Sequence, residues 1–282
     1  MPCYHPQNAA QLRYGERIRL GTQADASNLV IPCGKCIGCR AAHAAQWGAR
    51  CAHEASQHPC NRFVTLTYDD DHLPPNGFLA KRDLCLFLKR LRKAHEPNKL
   101  RFFAAGEYGE TTGRAHYHLL LFGIRFTDEQ QAAGSGQHKL YTSDTLDSIW
   151  GKGSGRIGRV TAASATYVAQ YQVKGNLIPP PTADGECAPA PFLVISRRPG
   201  IGATWYEKYA DDLQHGYLVN GGRKAPIPTY YRRKTQLQNP QRFYHLKHAQ
   251  EDERAERPPT DPRRLRDGEI IHHARRNLRR SN

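Results

Sequence analysis

The segment that most constrains this chain runs from Gly106 to Gly123 and reads GEYGETTGRAHYHLLLFG. At its centre stand His116, Tyr117 and His118. Alternate side chains of a strand point to the same face, so His116 and His118 share one, roughly 7 Å apart along the chain. Leu119, Leu120, Leu121 and Phe122 continue the run and supply apolar side chains for a core. A second strand-like run, from Leu100 to Ala105, leads to Glu107. Gly109, Thr111, Thr112, Gly113 and Arg114 lie between and predict a hairpin turn. Such a hairpin returns Glu107 beside both histidines. Two imidazoles and a carboxylate converging in this way make a divalent-metal site with open positions. Taken alone, a His-x-His pair on a strand is more often not a ligand pair, so the rest of the chain has to decide.

The charge balance narrows the partners. Forty-one Lys and Arg against 26 Asp and Glu leave a net +15, which points to a polyanion, most often nucleic acid. The apolar fraction of 39% suffices for one core but is low for the whole length, so some segments are expected to pack poorly. No stretch reaches the ~18 apolar residues of a membrane span. The start, MPCYHPQNAA, lacks a charged region followed by an apolar one. A reducing cytoplasm is therefore expected, and the eight cysteines are not read as disulfides. No GxxxxGK[ST] occurs, so no P-loop helicase is expected in this chain.

Cys33, Cys36 and Cys39 form a CxxCxxC run, PCGKCIGCR with its neighbours. Tetrahedral zinc wants four ligands, and Cys3, His5, His43 or Cys51 are candidates for the fourth. A reduced thiol cluster without metal and an iron–sulfur cluster stay open. A helix is expected over Arg40–His58, a strand over Arg62–Tyr68 (RFVTLTY) and an amphipathic helix over Lys81–His95. The last carries Leu84, Phe87, Leu88 and Leu91 on one face and Lys89, Arg90, Arg92 and Lys93 on the others, a weak candidate for phosphate contact. Asp69, Asp70 and Asp71 read as a solvated turn. Residues 124–160, polar and Gly-rich, read as an insertion or long loop with a short helix over Ser143–Trp150. Thr161 is placed to cap a helix through Lys174, on which Tyr167, Tyr171 and Lys174 share a face. That face suits contact with a phosphate better than a dry core. Asn176–Pro191 reads as a Pro-rich linker and Phe192–Ser196 as a strand. Arg197 and Arg198 sit in a basic turn, either a DNA contact or a structural loop. Thr204 and Glu207 have capping-box spacing for a helix to Leu213. Residues 223–282 carry nine of the fifteen net charges, so partial disorder and non-specific DNA affinity are expected there.

RFVTLTY, GEYGETTGRAHYH and YVAQYQVK, in this order, resemble the three motifs of the HUH endonucleases that initiate rolling-circle replication. The Tyr-x3-Tyr-x2-Lys form resembles the two-tyrosine initiators of small single-stranded DNA phages. PCGKCIGCR and SRRPGIGATWYEKY are similar to the gokushovirus group of microviruses, and the likeness covers about residues 1–215. The resemblance implies an α+β HUH endonuclease fold: a central antiparallel sheet with flanking helices, a Cys-rich N-terminal segment and a basic C-terminal extension. Its segments are expected at 1–60, 61–178 (the nuclease core), 179–222 and 223–282. Carried over by position, His116, His118 and Glu107 are the ligands of Mg2+ or Mn2+, Tyr167 and Tyr171 the nucleophiles and Lys174 their accompanying lysine. The first motif holds Thr65, Thr67 and Tyr68. The implied function is nicking and rejoining of origin DNA, single-stranded or replicative-form, in the host bacterial cytoplasm, with a host helicase and polymerase as partners. A transposase or relaxase with the same chemistry, a non-catalytic zinc-containing DNA-binding protein and a packaging scaffold are the alternatives.

Overall fold

The computed structural model describes residues 3–10, 18–20, 29–109, 112–136, 139–171, 179, 181–182, 184–220, 222–255 and 261–278. In chain order the elements are β1 (Gln7–Ala10), β2 (Arg19–Leu20), β3 (Leu29–Ile31), α1 (Ile37–Ala55), β4 (Asn61–Tyr68), α2 (Lys81–Ala94), β5 (Arg101–Tyr108), β6 (Ala115–Phe122), β7 (Gln130–Ala133), β8 (Leu140–Thr142), α3 (Asp144–Trp150), β9 (Gly153–Arg159), α4 (Ala162–Tyr171), β10 (Phe192–Ile195), α5 (Ala203–Tyr209), β11 (Tyr217–Asn220), β12 (Arg223–Pro226), α6 (Thr229–Gln238), α7 (Pro240–Ala255) and α8 (Pro262–Leu278). They fall into two compact units, residues 45–250 and residues 1–44 with 251–282. The fold is α+β.

The larger unit is organised by a seven-stranded antiparallel sheet in the order β10-β5-β6-β4-β9-β8-β7. β6 lies between β5 and β4, and all its residues are buried except the half-buried His116. Alternation divides it. Tyr117, Leu119 and Leu121 face a core shared with Leu84, Phe87, Leu88 and Leu91 of α2 and Leu146 and Trp150 of α3. Each such apolar side chain contributes about 1.5–3 kcal/mol through burial. Polar ends in this core are satisfied. The Trp150 indole N–H donates to the Thr67 carbonyl at 3.0 Å, and the hydroxyls of Tyr68 and Tyr117 lie 2.8 Å apart.

Residues 124–160 are not a loop. They supply β7, β8 and β9, three of the seven strands, together with the expected helix, whose Ser143 side chain accepts from the Leu146 N–H. β9 pairs with β4 along its whole length. Its sequence, GSGRIGR, hides the strand because glycines replace the apolar half of the alternation. At Gly155 the reason is steric: a Cβ there would stand 2.4 Å from Leu146 Cδ2, so α3 lies directly on the strand. The expected capping box is also absent. Gly202 precedes α5 with no side-chain cap, and Glu207 instead accepts from Lys234 Nζ at 2.9 Å.

Residues 223–250 belong to this larger unit, where Tyr231 and Leu246 are buried with Tyr206, Leu213, Leu218 and Ile227. His53 of α1 stacks on Trp205 with centroids 3.6 Å apart, and its Nδ1 lies 3.0 Å from the Tyr231 hydroxyl. Burial pushes this imidazole down to about 4. A folded value below the unfolded one means that the unfolded chain binds the extra proton. The stabilisation is therefore whole above about pH 6.5 and is lost as pH falls toward 4. Urea denaturation should show a decline of up to about 3 kcal/mol over that window, flattened by His53→Phe.

In the smaller unit β1 pairs with β2 and β3, and α8 is the long helix. Among the described residues no helix is long and apolar enough to cross a membrane.

Candidate metal centre and tyrosine helix

The face of the sheet opposite α2 carries the site. Pairing register sets Glu107 across from His116 and Ala105 across from His118 on one side, and Thr65 across from His118 and Thr67 across from His116 on the other. The hairpin closes through Gly109 N–H to the Arg114 carbonyl at 3.0 Å. Nε2 of His116 and Nε2 of His118 each lie 2.8 Å from the same oxygen, Glu107 Oε1. Glu107 and His118 are buried. Burial alone would raise the Glu107 carboxyl, but the hydrogen bonds from His116 and His118 outweigh it and hold the group below its ordinary range.

Both rings are oriented from behind. His116 Nδ1 lies 3.1 Å from the Arg114 carbonyl, to which its N–H donates, and His118 Nδ1 lies 2.9 Å from Thr65 Oγ1. With Nδ1 occupied in this way, Nε2 of each ring is the nitrogen turned toward the carboxylate, and it is the one left to bind a cation in place of its proton. The residues fit a divalent cation. Their donor atoms lie within 4.8 Å of one another, and Glu107 Oε2 is buried with no hydrogen-bond partner. Thr65→Val removes the orienting hydroxyl at nearly constant volume. It should weaken Mn2+ binding about 10–100-fold in calorimetric titration while leaving the fold intact.

Tyr167 reaches this centre. Its ring meets that of His118 edge-on at 5.4 Å and that of Phe63 at 6.5 Å, and the residue is 42% exposed. Ala165, Val168 and Ala169 bury the opposite side of α4. A Cβ at Gly48 of α1 would stand 2.4 Å from Thr166 Oγ1, so the two helices approach closely there. Tyr171 is the last residue of α4, its side chain outside the described residues, and Lys174 lies wholly outside them. Lys89 and Arg92 are exposed on α2, across the sheet from the candidate metal ligands, with Arg92 over the Phe102 ring at 5.0 Å. Arg197 and Arg198 are exposed in the turn after β10, at the sheet's edge. Arg156 was not foreseen. It is exposed on β9 and pairs in register with Thr65, so it stands on the face that carries Glu107, His116 and His118. The alternation of Gly155, Arg156 and Ile157 was its only signal, obscured by the glycines.

Cys3 joins Cys33, Cys36 and Cys39 in a second group, all four sulfurs within 4.8 Å of one another. Of the other candidates for fourth ligand, His5 pairs with Glu269 at 2.7 Å and Cys51 is buried in the larger unit.

The family model for the replication-associated protein ORF2/G2P matches residues 61–176, from β4 past the end of α4. Replication-associated protein VP4 of Bdellovibrio phage phiMH2K is 34% identical over 248 residues, covering 82% of this chain and 76% of the phage protein. The chain belongs to the microvirus replication-associated proteins. Replication-associated protein ORF2 of Spiroplasma virus 4 is 28% identical over 86% of this chain and 83% of its own length. ORF4 of Chlamydia phage 1 is 33% identical over 51% of this chain and 38% of its own length. No solved structure matches the chain. In this replication-associated protein, the matched stretch contains every candidate ligand and candidate nucleophile of the site, Glu107, His116, His118, Tyr167 and Tyr171.

Proposed function

We propose that this replication-associated protein is a replication initiator that nicks and rejoins origin DNA of a circular single-stranded DNA phage. It would act by tyrosine transesterification on an HUH endonuclease fold. The observation that carries the reading is Tyr167, exposed on α4 with its ring against that of metal-ligand candidate His118. A DNA-binding protein without catalysis has no need of a phenol there.

Glu107, His116 and His118 hold the cation. When bound, Mg2+ or Mn2+ supplies positive charge to the scissile phosphate and lines it up for in-line displacement. The chain's own part is the exchange of esters. The phenolic oxygen of Tyr167 or Tyr171 attacks phosphorus, a P–O bond to tyrosine forms and the P–O3′ bond breaks. The phenolic proton passes to solvent and the departing O3′ takes one up. The products are a 5′-phosphotyrosine and a free 3′-OH. No bond energy is lost to water, so the reverse step rejoins the strand without ATP. A phenol with an ordinary value near 10 needs help to ionise, and Lys174 is assigned that role or that of holding the phosphate as a point charge. Tyr171, four residues on, serves the second round: one tyrosine keeps the 5′ end while the other cuts the regenerated origin. Arg156 offers a cation to the DNA backbone on the same face. A host helicase and polymerase complete the reaction in the bacterial cytoplasm.

The test incubates the chain with labelled single-stranded viral DNA and Mn2+. A denaturant-resistant complex that yields phosphotyrosine, and that EDTA prevents, is expected. Cleavage that leaves a free 5′-phosphate and no protein adduct means hydrolysis, and removes the proposal.

A further inference from the structure

The thiol group of the smaller unit has no part in that chemistry. We propose that Cys3, Cys33, Cys36 and Cys39 bind one Zn2+ as a tetrahedral tetrathiolate, and that this ion clamps the N-terminal arm on which the basic helix α8 rests.

Topology brings the ligands together. β1 and β3 pair with Gln7 opposite Ile31, so the residues before Gln7 and those after Ile31 emerge at the same end. Cys3 thereby meets Cys33, while Cys36 and Cys39 follow at the start of α1. The Cys33–Cys39 and Cys3–Cys36 sulfurs are each 3.9 Å apart. Zinc–thiolate bonds of about 2.3 Å set the edge of a tetrahedron near 3.8 Å. A cluster of two or four irons distributes its thiolates over several metal atoms and spreads them further, so the spacing selects a single ion. All four are free thiols.

Backbone groups are arranged for sulfur anions. The N–H of Cys36 points to Cys33 Sγ at 3.4 Å, and that of Cys39 to Cys36 Sγ at 3.4 Å. Cys33 N–H lies 3.2 Å from Cys3 Sγ, and Tyr4 N–H 3.3 Å from Cys36 Sγ. Four donors aimed at three sulfurs favour thiolate, the form that binds metal.

The clamp follows from what flanks Cys3. The Tyr4 hydroxyl lies 3.1 Å from His272 Nδ1, and His5 Nε2 lies 2.7 Å from Glu269 Oε2. One residue before Glu269, a Cβ on Gly268 would stand 3.2 Å from the Tyr4 ring, so the helix presses on the arm where it has no side chain. All three contacts are to α8, which carries five arginines against two carboxylates. An arm this short has little core of its own, and a metal bond one residue away fixes its position.

The full-length chain, purified without added metal, should contain one zinc per molecule. Co2+ in its place should give thiolate-to-cobalt charge transfer and a tetrahedral d–d spectrum. His118→Ala should keep the zinc and Cys36→Ser should lose it, which separates this site from the phosphate-facing centre. In hydrogen exchange, chelation or Cys3→Ser should expose the amides of α8 at least tenfold faster while β4, β5 and β6 stay protected. Four thiols freely titratable in the folded chain, bound iron, or zinc that leaves with His118 would overturn the site. Zinc removal without effect on α8 would overturn the clamp.

Discussion

With Tyr167 and Tyr171 both replaced by phenylalanine, the chain should still bind single-stranded DNA as the parent does and should form no covalent complex. Loss of the nucleophile should reduce cleavage by on the order of 10^3–10^6-fold, the range over which removal of a reacting group leaves only binding and electrostatic assistance. The substitution is well posed because phenylalanine keeps the ring. The edge contact of residue 167 with His118 and with Phe63 survives, so α4 keeps its place and the cation its site. Only the hydroxyl goes. Binding is expected to rest on Lys and Arg side chains that the change does not touch, so its salt dependence should be unaltered. The measurement pairs a gel-shift titration with a denaturing gel after incubation with Mn2+. An adduct persisting in the double variant would place the nucleophile elsewhere. Equal loss of binding would mean that α4 had moved.

The site's geometry was legible in the sequence wherever chemistry and periodicity coincide. In β6 the two histidines occupy alternate positions of a strand whose other alternation is Tyr117, Leu119 and Leu121, so one pattern declares both the core and the face where the histidines meet Glu107. The turn residues after Glu107 then fix the partner strand, and Glu107 pairs with His116 in register. Where the two signals part, the sequence is silent. β9 buries Gly155 and Gly158 in place of branched side chains and reads as a loop, which hid Arg156 with it. Thr204 and Glu207 have capping spacing, yet tertiary contacts start α5 at Gly202 and turn Glu207 to Lys234. Cys3 could be nominated as the fourth thiolate only among alternatives, because nothing local says that β1 and β3 pair. Glu54 was the least visible. On a helix rich in alanine and polar residues it looks like any solvated acid, and only the folded sheet makes it a centre of attachment.

That attachment yields the largest expected change in stability. Glu54 is fully buried, 0% exposed, near the end of α1. Its Oε1 accepts from the Arg101 guanidinium at the start of β5 and lies 3.2 Å from His58 Nε2, while Oε2 accepts the Gly202 N–H at 2.6 Å. Burial would raise this carboxyl, but the hydrogen bonds from His58, Arg101 and Gly202 hold it below the ordinary range. Glu54→Ala leaves Arg101 with the Pro199 carbonyl alone, and leaves the Gly202 amide without its acceptor. Breaking a buried pair from one side costs about 3–5 kcal/mol, a large share of the about 5–15 kcal/mol that holds a domain together. Asp70→Ala is the control: Asp70 meets Arg114 at 2.6 Å, but with its side chain 89% exposed the loss should stay below about 1 kcal/mol. The pH dependence sharpens the test. A carboxylate with a depressed folded value stabilises fully above its unfolded value of about 4.3 and ceases to do so as pH falls through the folded one. The urea midpoints of parent and Glu54→Ala should therefore differ most at neutral pH and converge in acid. A constant difference would mean that packing rather than charge is what Glu54 supplies. Because Glu54 ties α1 to the strand that carries Glu107, its loss should cut DNA cleavage only in proportion to the unfolded fraction. The folded remainder should bind Mn2+ as the parent does, which distinguishes it from any change at His116 or His118.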